Sequence, residues 1–242
     1  MKFLIVTLSN IGILLVLTIF AQKKNTIDGQ LKFYMKLFVF GVLISIPIIL
    51  IESIIEFAME QFVQTGNIFY AFLDAFIVAG FTEELFKWLV FNKYVLKKKD
   101  VNSRYDAIVY AAYISMGFSM IENVIYAFYG DISVCIIRSI TSTPGHLFFS
   151  IFIGHYWFLS KKNALNGNKF KAAKYTIFSL LIPIILHGFY DFCLMSDSDG
   201  LKIIWILFVI GIIIKVFFII KKTYFDRELM YSYLMLEDSR IH

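Results

Sequence analysis

The chain has 242 residues, of which 59% are hydrophobic, 18% aromatic and 17% charged. That apolar share excludes an ordinary soluble domain and points to a polytopic membrane protein. The net charge of +5 does not mark a nucleic-acid binder, because the lysines fall in short runs between apolar segments, as the positive-inside rule describes.

Apolar stretches long enough to span a bilayer run over 3–21, 33–51, 69–96, 107–129, 132–160, 172–194 and 201–220. Each is expected to be a helix, since only helices and closed barrels satisfy backbone polar groups in lipid. The runs are continuous rather than alternating, which argues against a barrel. The first has a basic flank like a signal peptide, but its apolar run of about 19 residues exceeds a signal peptide's apolar region. It is read as a retained span.

Loop charges then set the orientation. Lys23, Lys24 and Lys32 follow the first stretch; Glu52, Glu56 and Glu60 the second; Lys97, Lys98, Lys99 and Arg104 the third; Asp131 the fourth. Lys161, Lys162, Lys169, Lys171 and Lys174 follow the fifth, Asp197 and Asp199 the sixth, and Lys221 and Lys222 the last. Basic loops stay in the cytoplasm, so the expected architecture is an all-α transmembrane bundle of about seven spans. Its N-terminus lies outside and its C-terminus in the cytoplasm. Residues 52–65 are expected to form an outer loop or a helix lying on the membrane surface. Three regions follow: 1–66 with two spans and the acidic loop, 67–195 with four spans and the polar motifs, and 196–242 with a last span and a tail. Cys135 and Cys193 have no metal-ligand spacing and are read as small buried residues.

Four polar clusters interrupt these apolar stretches: Glu83-Glu84-x-x-Lys87, Phe118-x-x-x-Glu122-Asn123, His146, and His187-x-x-x-Asp191. Ionisable groups at bilayer depth are costly, and several at one level mark a functional site facing a protein interior. Counted from the cytoplasmic ends at about 1.5 Å per residue, Glu84, Glu122, His146 and His187 lie roughly 18–21 Å in. That level is past the middle, toward the outer face.

Each residue also has a structural explanation. Lys87 lies three and four residues after the glutamates and can neutralise either across one turn. A single Glu-Lys pair would be an ordinary ion pair; the second glutamate and the partners at the same depth favour function. Phe118 and Glu122 share a helix face, and Gly117 allows close approach of another helix. Asn123 can cross-link helices, whereas Glu122 needs a cation, a metal or a proton. Pro144-Gly145, just before His146, is expected to break its helix and open a polar cavity. Arg138 either snorkels to the outer headgroups or pairs with a carboxylate. Asp191, one turn from His187, can orient the imidazole. His155, nine residues from His146, falls on the opposite helix face and has no expected role.

Glutamate and histidine activate water and bind hydrolytic metals, so the constellation suggests a membrane hydrolase. In one version His146, His187 and Glu122 hold zinc while Glu83 or Glu84 is the base. In the other, a glutamate activates water without metal and the histidines stabilise the oxyanion. A proton-coupled transporter would also bury such groups, but no inverted repeat is evident.

The four motifs, in this order, resemble the PrsW family of bacterial intramembrane proteases. The resemblance rests on Glu83-Glu84-Leu85-Phe86-Lys87, Gly117-Phe118-Ser119-Met120-x-Glu122-Asn123, Arg138 with Pro144-Gly145-His146, and His187-Gly188-Phe189-Tyr190-Asp191, within residues 70–195. It implies a multi-pass protease of the bacterial cell membrane that makes the first, extracytoplasmic cut in a single-span anti-sigma factor during a stress response. The implied catalytic set is Glu83, Glu84, Lys87, Glu122, Asn123, His187 and Asp191, with Phe118 and Arg138 in support. A more distant similarity, to the CAAX protease and bacteriocin-processing group, implies that Glu83 activates water while His187 and Asp191 bind or polarise the scissile carbonyl. By that similarity prenyl-protein or peptide processing, or an immunity role, is the alternative. Glu122 stands where that group has a histidine, and Asp191 where it has an asparagine.

Overall fold

Backbone amides that meet no water must be satisfied within the segment, and among the described residues every regular element is a helix. The computed structural model describes residues 1–22, 28–95, 101 and 103–241. Lys23, Lys24 and Lys97 to Lys99, on which part of the charge argument rests, lie outside them. The elements are α1 (Lys2–Gln22), α2 (Asp28–Glu60), α3 (Ile68–Leu73), a π-helical stretch (Asp74–Phe81), α4 (Thr82–Val95), α5 (Arg104–Tyr129), α6 (Ile132–Ile140), α7 (Ser142–Leu165), α8 (Lys169–Met195) and α9 (Asp199–Ile241). Five of them, α1, α2, α5, α8 and α9, are long and apolar enough to cross a membrane. The expected stretches 69–96 and 132–160 are each interrupted, the first by the π-helical stretch and the second at Thr141.

Two expectations need correction. Residues 52–60 are neither a loop nor a separate surface helix; they continue α2 without a break. Hydropathy falls at Glu52, but Glu, Ile, Ala and Met are good or adequate helix formers, so nothing local stops the helix. The turn comes later, where Gly66 takes a positive φ of 84° and Asn67 caps α3 by accepting from the Phe69 amide (2.8 Å). The second correction concerns Pro144. The helix breaks not at Pro144-Gly145 but four residues earlier, with α6 ending at Ile140. A proline ring clashes with the carbonyl of residue i−4, which here belongs to Ile140. Pro144 itself sits in the first turn of α7, where a missing N–H is harmless, and the Gly145 amide already donates to the Thr141 carbonyl (2.9 Å).

The core is built around α5, whose residues from Arg104 to Ser119 are all buried. Ser103 and Asp106 close its N-terminus with a reciprocal capping box. Helices in lipid gain little from the hydrophobic effect and associate through close packing, which favours glycine at crossings. Gly117 of α5 lies against the α2 backbone at Phe38 and Val42, as its expected role in close approach requires. A Cβ on Gly154 of α7 would come within 2.6 Å of Ala107 and Ile108 of α5. The outer faces of α1, α2, α8 and α9 instead expose Leu8, Leu43, Ile185 and Phe217, the surface expected of a lipid-facing protein. Cys135 and Cys193 are buried free thiols.

Candidate active site

The first half of the site is set by one crossing. A Cβ on Gly80, in the π-helical stretch, would come within 3.0 Å of the Gly188 amide nitrogen and 3.1 Å of its Cα. No side chain therefore separates the start of α4 from α8 at the point where Glu84 meets His187. π-Helical turns are rare and frequent at functional sites; this one directly precedes the Glu83-Glu84 pair.

Adjacent glutamates point about 100° apart on a helix, and Lys87 bridges the gap. Its Nζ donates to Glu83 Oε2 and Glu84 Oε1, both at 2.9 Å. Lys87 and Glu84 are each only 1% exposed, so the pair needs this compensation to be tolerated. Phe118 covers the ammonium with its ring, 4.2 Å from Nζ to centroid.

The histidines complete the arrangement from α7 and α8. His187 places Nδ1 3.0 Å from Glu84 Oε1 and Nε2 3.1 Å from Asp191 Oδ2. His146 places Nε2 2.7 Å from Glu122 Oε2, while its Nδ1 lies 3.3 Å from Lys87 Nζ and 3.8 Å from Glu83 Oε2. Each imidazole thus has one nitrogen on an outlying carboxylate and the other turned toward the glutamate pair. The rings stand 5.1 Å apart and nearly perpendicular, and Phe149 stacks on His187 at 4.9 Å. Ser115 Oγ donates to the His146 carbonyl (2.9 Å), tying this turn of α7 to α5.

Glu122 finds its counter-charge in Arg138. The guanidinium Nη2 lies 2.6 Å from Glu122 Oε1, which settles Arg138 as a carboxylate partner rather than a snorkelling side chain. Arg138 also donates to Asn123 Oδ1 (3.1 Å) and Ser142 Oγ (2.9 Å), and it lies 3.6 Å over the Tyr126 ring. Asn123 in turn donates to Thr143 Oγ1 (2.7 Å), so it links α5, α6 and α7. His155 is not among the residues lining the cavity described next.

A cavity of about 530 Å³ opens on these groups. Glu83, Glu122, His146, His187 and Asp191 line it, and so do Glu52, Glu56 and Asp74. The sequence places none of Glu52, Glu56, Asp74 and Tyr190 among the candidate site residues. A signal for α2 was present: Ser45, Ile49, Glu52, Ser53 and Glu56 repeat at helical spacing and share one face. It is visible only once 52–60 is recognised as helix. Glu52 Oε1 is buried and meets no hydrogen-bond partner among the described residues.

Residues 29–220 match the family described as PrsW family intramembrane metalloprotease. The chain belongs to this family. It is 34% identical over 179 residues to Protease PrsW of Clostridioides difficile strain 630, covering 72% of each chain. Protease PrsW of Oceanobacillus iheyensis is 31% identical over 176 residues, 73% of this chain and 76% of the relative. That of Bacillus subtilis strain 168 is 28% identical over 194 residues, 80% and 82% of the two chains. No solved structure matches the chain. As a PrsW-family member with apolar helices of spanning length, the protein is a multi-pass, membrane-embedded bacterial protease.

The PrsW family is described as metalloproteases, and the residues present fit a metal on their own chemistry. Glu83, Glu84, His146 and His187 each offer a ligand atom, all within 4.8 Å of one another, and all four residues are buried. Two imidazoles with carboxylates are donors of hydrolytic zinc sites. Glu84 Oε2 is buried without a partner among the described residues. Asp191 and Glu122 hold the far nitrogens of both histidines, as carboxylates do behind metal-bound imidazoles. Of the three residues expected to hold zinc, the structure brings His146 and His187 into this group. It leaves Glu122 beside the group, with one oxygen on Arg138 and the other on His146.

Proposed function

We propose that this protease makes the first, extracytoplasmic-side cut in a single-span membrane protein of the anti-sigma factor kind, using zinc held by Glu84, His146 and His187, with Glu83 as general base. The observation that carries the proposal is the buried group of two glutamates and two histidines within 4.8 Å, facing a cavity of about 530 Å³. The choice of base follows from exposure to that cavity. Glu83 lines it, whereas Glu84 is turned toward His187.

Zinc bound there would supply Lewis acidity to the scissile carbonyl and to a water molecule. The chain supplies the remainder. Glu83 takes the proton of the attacking water on its carboxylate and later delivers it to the leaving amine. Lys87 holds both glutamates in place and compensates their charge. Asp191 and Glu122 fix the tautomers by accepting from the Nε2 atoms of His187 and His146. The outer-side location is supported by the cavity lining, which includes Tyr129, Met195 and Glu56 at the ends of helices that the loop charges place outside.

One observation favours a metal-free second version. Lys87 Nζ donates to Glu83 and Glu84 at 2.9 Å and lies 3.3 Å from His146 Nδ1, so an internal cation already compensates the two carboxylates. The test is cleavage of single-span substrates by purified protein in proteoliposomes, with elemental analysis alongside. Glu83→Gln should abolish cleavage while keeping metal. Stoichiometric metal with chelator-sensitive activity supports the zinc version; active metal-free enzyme supports the second. Full activity in Glu83→Gln overturns both.

A further inference from the structure

Hydrolysis builds negative charge on the scissile carbonyl oxygen, and an efficient site meets it with a preorganised hydrogen-bond donor. The cations around the cavity are already engaged. Lys87 donates to Glu83 and Glu84, and Arg138 to Glu122, Asn123 and Ser142. His146 and His187 each lie between acidic partners.

Tyr190 differs. It is 5% exposed and lines the same cavity, and its hydroxyl oxygen is buried with no partner of hydrogen-bonding geometry among the described residues. The Thr141 hydroxyl beside it donates to the Ile137 carbonyl (2.8 Å) and keeps lone pairs facing the tyrosine O–H, a neutral neighbour that a substrate carbonyl can replace. Buried polar atoms are nearly always well paired, and a hydroxyl whose contact falls short of good hydrogen-bonding geometry is free to turn to a better acceptor. The ring is held firmly. It lies edge-on to Phe149 (5.8 Å), which stacks on His187, and packs against Trp205 (5.3 Å). The ring also lies close over Gly145, the residue before His146, where a Cβ would stand in ordinary contact with it at 3.7 Å. On α8 the residue falls three positions after His187 and one before Asp191.

We propose that Tyr190 is the oxyanion donor of this protease; the proposal rests on the hydrolytic site described above. Water oxygen bonds to the carbonyl carbon as its proton passes to Glu83. The carbonyl oxygen, now negative, accepts a hydrogen bond from the Tyr190 O–H, which keeps its proton. The C–N bond then breaks, the amine leaves with the proton from Glu83, and the carbonyl re-forms as a carboxyl group.

The variant Tyr190→Phe removes the hydroxyl and keeps the ring. With a single-span substrate cut by the wild type, kcat should fall by about 10²–10³-fold, with KM and bound metal unchanged. A second measurement does not depend on the natural substrate: binding of an aliphatic peptide phosphinate, whose tetrahedral anion mimics the intermediate. Tyr190→Phe should weaken phosphinate binding at least tenfold. Wild-type turnover in Tyr190→Phe, a rise in KM alone, or unchanged phosphinate binding would overturn the proposal, as would a wild type that binds no phosphinate. Failure of the hydrolytic site itself reads out separately, as wild-type cleavage by Glu83→Gln.

Discussion

Glu84 and His187 meet at 3.0 Å because Gly80 and Gly188, on the same two helical segments, lie in backbone contact. The pairing that joins the glutamate motif to the histidine motif is thus fixed by main-chain approach.

Substituting either glycine should therefore damage activity. A Cβ on Gly188 would meet the Phe76 ring at 2.5 Å, and one on Gly80 would press on the Gly188 backbone. Overpacking of this kind costs typically about 1–3 kcal/mol. Gly80→Ala and Gly188→Ala should lower thermal stability in detergent and reduce cleavage further than stability accounts for. Gly12, whose Cβ would meet nothing, is the control. Equal behaviour of all three variants would remove the crossing from the argument.

Lys87→Met should be among the most destabilising single changes. It strands two buried carboxylates that share one ammonium at 2.9 Å each, and breaking a buried ion pair costs about 3–5 kcal/mol. The expected result is a large drop in unfolding temperature. Lys87→Met combined with Glu83→Gln and Glu84→Gln should recover much of it. Absence of recovery would mean that the lysine acts through packing rather than charge.

Metal stoichiometry separates ligands from supporters. His146→Ala and His187→Ala should lose bound zinc altogether. Glu122→Gln and Asp191→Asn should retain it with affinity lowered about 10–100-fold, the usual effect of altering a group behind the ligand. Loss of all metal in Glu122→Gln would return Glu122 to the ligand set. His155→Ala, away from the cavity, should leave both metal and activity intact.

Topology is open to direct labelling. Cysteines placed at Lys162 and Lys171 should react only from the cytoplasmic side, and cysteines at Asp197 and Asp199 only from outside. Asp197 and Asp199 are almost fully exposed at the turn before α9, with Asp197 at a positive φ of 50°. Reaction of Asp197 from the cytoplasm would invert the bundle and move the cavity to the other face.

Much of this was legible in the residues. The helical class and the level shared by Glu84, Glu122, His146 and His187 follow from hydropathy and rise per residue, which depend on composition and spacing alone. What escaped depends on facing and on partners. Glu52 looks like a loop residue because a carboxylate ends an apolar run, although it does not end a helix. The break assigned to Pro144-Gly145 falls at Thr141 because proline acts on the carbonyl four residues behind it. The spacing also gives no hint that Arg138, sixteen positions from Glu122 in sequence, lies 2.6 Å from it. Tyr190 stands in the motif of the resemblance without a role of its own, since an aromatic residue in an apolar run looks like packing until its hydroxyl is found buried beside the cavity.

The glycine crossing has a further consequence for how such a protein diverges. Where main-chain contact sets the spacing of reactive groups, the bulky residues that face lipid are released from any part in that spacing. Leu8, Leu43, Ile185 and Phe217 contribute oiliness rather than shape, and any similar side chain serves as well. Drift can then accumulate over the outside of the bundle while the interior chemistry stays in place.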